Sequence, residues 1–78
     1  MSYPIASMIG YARHRARACR QHATHHRAMH ASLMRRGELE RAFDHSREAR
    51  YFEACASILE CEVRVGNLER RMAGRRCA

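Results

Sequence analysis

Apolar and small residues recur along the first half of the chain at alternating steps of four and three: Ile5, Ile9, Ala12, Ala16, Cys19, Ala23, His26, His30 and Leu33. This is a heptad register, in which a helix returns each position to a single face. Pro4 suits a first helical turn with Ser2 as its cap, and nothing after it breaks a helix until Arg36-Gly37. The pattern predicts helix 1 over about 4–36. Gly37 suits the left-handed residue that ends a helix, and Glu38 and Glu40 then place negative charge in the first turn of the next one.

Helix 2 is predicted from about 38 to about 65, with Gly66-Asn67 as a break followed by a short helix or frayed tail over 67–78. Arg75 to Ala78 are expected to be disordered. The helix 2 seam reads Leu39, Ala42, Ser46 and Ala49, then skips to Phe52, Ala56, Leu59 and Val63. The expected fold is thus all-α: one domain over residues 1–78, a long antiparallel helical hairpin of two helices plus a short C-terminal helix.

A second stripe, Tyr51, Cys55, Ile58 and Val65, lies beside the helix 2 seam and makes this half apolar over a wider arc than one partner helix covers. Many seam positions are Ala, Ser or Cys, which let two backbones approach but bury little area each. A 78-residue chain buries a small share of its surface in any case. Both facts favour a homodimeric four-helix bundle, with Tyr51, Phe52, Cys55, Ile58, Leu59 and Val65 between the copies.

Charge sharpens the question of partners. The net charge of +7 is carried by fifteen arginines without a lysine. Residues 1–37 hold seven Arg, five His and no acid, whereas from Glu38 onward eight Arg meet eight acids. Arg13, Arg20 and Arg27 form a ladder spaced by sevens beside the helix 1 seam, with Arg15, Arg17, Arg35 and Arg36 on neighbouring faces. Such a strip suits phosphates or an acidic protein surface. The competing expectation is internal, because an antiparallel hairpin sets Asp44, Glu48, Glu53 and Glu60 opposite the strip as ion-pair partners. Aromatic stacking partners for nucleic acid are sparse on helix 1, only Tyr3 and Tyr11, and no zinc finger, RNP motif or helix-turn-helix pattern is present.

Histidines and cysteines supply further chemistry. Steps of three and four put His22, His25, His26 and His30 in pairs along helix 1, with Cys19 one turn earlier. Taking Gly37 as the midpoint sets Cys55 level with Cys19, so Cys19, His22, His26 and Cys55 approximate a nitrogen-sulfur zinc set. The same cysteines fit a cross-helix disulfide or, as the preferred expectation, buried free thiols. The four cysteines, Cys19, Cys55, Cys61 and Cys77, form no CxxC pair. Charging His26 and His30 in the seam is expected to reduce stability below about pH 6.

No cofactor is expected beyond that zinc alternative. Two helices offer no concave pocket or oxyanion donors, so no enzyme is expected. The absence of a signal-peptide pattern or an apolar run of about 18 residues predicts a cytoplasmic protein without membrane contact. The leading expectation is a small non-enzymatic interaction protein, of the kind phages and mobile elements encode as inhibitors or adaptors. It would bind an acidic partner protein through the Arg/His-rich face of helix 1, with Tyr11, Arg13, Arg15, Arg17, Arg20, Arg27, Arg35 and Arg36 as the binding residues. Structured RNA or DNA is the alternative partner, and a Cys/His metal or redox sensor is a further one.

Overall fold

A computed structural model describes the backbone of residues 5–76 and the side chains of residues 7–75. Ser2 and Pro4, the proposed start of the first helix, lie outside the described residues, as do Tyr3 and Cys77. Two helices, α1 (Ile5–Arg35) and α2 (Leu39–Arg76), pack against each other as an antiparallel hairpin. The rod measures 62 × 21 × 13 Å. Neither helix is long and apolar enough to cross a membrane.

The reversal follows from one glycine. Gly37 has φ of 77°, a left-handed conformation that costs other L-residues steric strain but glycine none. Its amide donates to the Met34 carbonyl at 3.1 Å, and the Glu38 amide donates to the Leu33 carbonyl at 3.0 Å. These are the two closing bonds of a Schellman turn, which satisfy carbonyls that the end of α1 would otherwise leave bare. Glu38 receives Arg41 at 3.1 Å and lies 3.2 Å from Arg36, linking the two sides of the turn.

Alanine governs the packing. Ala12, Ala16 and Ala23 of α1 are buried, and Ala42, Ala49 and Ala56 of α2 are completely inaccessible. Ile9, Leu33 and Leu59 complete the buried set, with Cys19 and Val63 packed at its edge. A methyl-sized side chain at each crossing lets two helices lie close along their whole length. The α1 seam agrees with its heptad reading over the residues whose side chains are described.

Three expectations about α2 are corrected. Ala42, Ala49, Ala56 and Val63 continue one seven-residue repeat, so the seam does not skip at Phe52. Leu39 lies outside it and is 62% exposed. The predicted interruption at Gly66-Asn67 is absent, and α2 runs on as one helix through Arg75 and Arg76. A glycine inside a helix costs about 1 kcal/mol relative to alanine, yet Gly66 serves packing here. A Cβ at this position would stand 2.8 Å from Cγ1 of Ile9 and 3.1 Å from its Cδ1. Gly66→Ala is therefore expected to lower the melting temperature despite the better helix propensity of alanine. A rise in Tm would show that Ile9 is free to move aside.

Candidate functional site

The antiparallel register separates the hairpin's two flanks. On one flank the guanidinium of Arg27 grips Glu53 through both oxygens, at 2.8 and 3.1 Å. One α1 heptad earlier, Arg20 pairs with Glu60 and approaches Ser57. Two rungs of the arginine ladder are thus closed within the molecule. Asp44 and Glu48, also expected as partners, form no ion pair among the described residues. Hydrogen bonding to Arg27 and to Arg20 holds the Glu53 and Glu60 carboxyls below the usual carboxylate range, and the same bonds raise the two arginines further. Both pairs are solvent-exposed, so they set register more than they stabilise.

Arg13 and Arg17 continue this flank towards the open end of the hairpin, beside Arg20 and Glu60, and neither forms an ion pair among the described residues. Arg13 also lines a shallow concavity with Asn67, Arg70 and Arg71 of α2. Heptad counting could have found these α2 residues, because Asn67 follows Glu60 by seven.

The opposite flank is apolar. Tyr51, Ile58, Val65 and Met72 of α2 recur every seven residues and are about half exposed or more, as are Met8 and Tyr11 of α1. At the open end Met8, Tyr11, Ile58 and Val65 border a groove of about 560 Å³, into which Cys61, Glu62 and Glu69 also face. The Arg15 guanidinium stands 5.8 Å from the centre of the Tyr11 ring, in cation–π range. A neighbouring Cys55 raises the pKa of the Tyr51 hydroxyl.

The sequence-predicted site residues therefore do not form one surface. Arg13 and Arg17 share one flank, Arg15 and Tyr11 stand on the other, Arg20 and Arg27 are internally paired, and Arg35 and Arg36 lie at the turn. Of the expected dimer residues, Tyr51, Ile58 and Val65 are open. Leu59 is buried in the hairpin's own core at 8% exposure, and Phe52 is half-buried under two imidazoles.

Those imidazoles belong to a cluster that bridges the helices. His22 stacks on Phe52 at 4.8 Å between ring centroids, and His26 stacks on the same ring at 5.7 Å. His26 Nδ1 lies 2.9 Å from His45 Nδ1, while His30 Nδ1 donates to the Ala42 carbonyl at 2.8 Å. His45, which the sequence does not single out, completes this arrangement. Cys19, His22, His26 and Cys55 do not converge: the described residues contain no group of three or more His, Cys, Asp or Glu placed to hold a metal. Cys19, Cys55 and Cys61 are free thiols.

A Nδ1 to Nδ1 hydrogen bond needs one ring with a proton there and one without. The acid response follows from the carboxyls of Glu53 and Glu60, held low by Arg27 and Arg20: their contribution is complete above about pH 4.3 and lost as pH falls through their folded values. Chemical denaturation at about pH 6 and about pH 3 is expected to show this loss, and Glu53→Gln to diminish it. Equal midpoints at the two pH values would remove the ion pairs from the account.

Comparison of the chain with protein-family models, with curated proteins and with solved structures finds no match.

Proposed function

We propose that this protein is a non-enzymatic interaction module that binds an acidic partner protein through the arginines its own carboxylates leave open. The observation that carries this reading is the split among the arginines of this flank. Glu53 and Glu60 close Arg27 and Arg20, whereas Arg13 and Arg17 stand exposed at the open end without a carboxylate partner among the described residues. Arginine is favoured at interfaces because its planar fork pairs two donors with a carboxylate.

A second copy of the chain covers the apolar flank in this proposal, giving a four-helix bundle. Tyr51, Ile58, Val65, Met8 and Tyr11 together present more adjoining apolar surface than scattered exposed residues do. Charge supports the same pairing, since this flank carries Arg15 on α1 and Glu62 and Glu69 on α2, so an antiparallel copy meets opposite signs. The arginine flanks of the two copies then stay free for the partner.

Affinity capture from lysate, with and without nuclease, tests the partner class. The expected result is an acidic protein retained after nuclease treatment. Loss of all captured material with nuclease, together with affinity falling linearly and steeply in log salt, would instead assign the arginines to nucleic-acid phosphates. Sedimentation equilibrium at micromolar concentration tests the second copy: a dimer is expected, and Ile58→Glu should give monomers.

A further inference from the structure

The third rung of the arginine ladder differs from the other two in its partner. On α1, Arg27, Arg20 and Arg13 recur by sevens, and on α2 Glu53, Glu60 and Asn67 recur by sevens in the opposite sense. The first two rungs close as ion pairs. The same register brings Arg13 to Asn67, and both line one concavity of about 460 Å³ with Arg70 and Arg71. A second rule fails at the same level. The α2 seam runs Ala42, Ala49, Ala56 and Val63, and its next position is Arg70, where the pattern calls for a small apolar residue.

Three guanidinium groups and one amide thus share a notch whose lining contains no carboxylate. Like charges gathered in one place repel and disfavour the folded chain. Two independent departures from a repeat that holds elsewhere, at one level of the rod, mark a place where folding rules yield to a ligand.

We propose that this notch binds a phosphate group, either free phosphate or a phosphate monoester. Such a group carries about 1.5 to 2 negative charges at neutral pH and three or more acceptor oxygens. Three arginine forks and the Asn67 amide offer more donors than the two oxygens of one carboxylate can take up, and they suit a tetrahedral anion. The site goes beyond acidic-partner binding and stands without it, because its ligand is the oxyanion itself.

The test is a titration of the full chain with inorganic phosphate, followed by amide NMR and compared with chloride at matched ionic strength. Saturable shifts around residues 13 and 67–71 are expected from phosphate and not from chloride. Asn67→Glu is the informative variant, since it supplies the missing acid and lets Arg13 close a third rung. It should melt no lower than the parent yet lose at least tenfold in phosphate affinity. Arg70→Ala, which restores a small seam residue, should also weaken phosphate binding while leaving the hairpin folded, and provides the test if Asn67→Glu misfolds. A small phosphate monoester in place of the free anion separates the two sources, and saturation by either one supports the site. Shifts no larger than those from chloride, or unchanged phosphate affinity in both variants, would overturn it. Binding of a polynucleotide without saturation by either small phosphate would overturn it as well, because a polyanion needs no built notch. Loss of protein-partner capture with phosphate binding intact would count only against the acidic-partner reading.

Discussion

Ala49→Leu is expected to push the two helices apart and cost the protein a large part of its stability. Ala49 is completely inaccessible and sits in the middle of the repeat Ala42, Ala49, Ala56. Three added carbons at such a crossing have no void to enter, so the helices must separate locally and loosen neighbouring alanine contacts. Overpacking of this kind typically costs about 1–3 kcal/mol, and a single core in a chain this short rarely supplies more than about 3–5 kcal/mol. In a domain of this size each kcal/mol lowers Tm by roughly 4–8 °C. Thermal unfolding followed by circular dichroism, at fixed protein concentration because association would shift Tm, should therefore show a fall of about 10 °C or more. An unchanged midpoint would mean that the alanines are not at a close crossing.

Leu33→Ala is expected to be comparably damaging for the opposite reason. Leu33 is the one large side chain with no accessible surface among the described residues. It also sits in the last turn of α1, where its carbonyl accepts the Glu38 amide that closes the reversal. Removing a buried leucine side chain costs about 2–5 kcal/mol, through lost transfer energy and the cavity left behind. Because the remaining core is largely alanine, few side chains are long enough to refill that space. The urea midpoint should drop sharply with an unchanged slope, and a loss below about 1 kcal/mol would show that the turn end collapses to fill the gap.

Much of this arrangement was legible in the sequence. The α1 seam, the reversal at Gly37 and the two closed rungs follow from period, one left-handed residue and charge spacing, all of them local or set by a single midpoint. Gly66 misled because its helix-breaking propensity is local, whereas its use, a close approach of Ile9, comes from a residue 57 positions away in the chain. Phe52 reads in the sequence as a seam residue that also faces a second copy, yet His22 and His26 from the other helix stack on it. The zinc alternative is not assembled in this register: Cys19 packs against the cluster of Ala12, Ala16 and Leu59. His26 turns instead to His45. The eight candidate binding residues were all read from one helix, and helix position alone does not reveal which arginines the other helix neutralises.

That distinction between open and closed arginines is the claim on which the functional account rests, and paired variants test it most directly. Arg13→Gln with Arg17→Gln removes two open arginines, and Arg20→Gln with Arg27→Gln removes two closed ones, so each variant loses the same charge. Affinity for the captured acidic partner, measured at one ionic strength, is expected to fall at least tenfold for the first variant and by less than about threefold for the second. Equal losses would show that the partner reads net charge alone and would contradict the account.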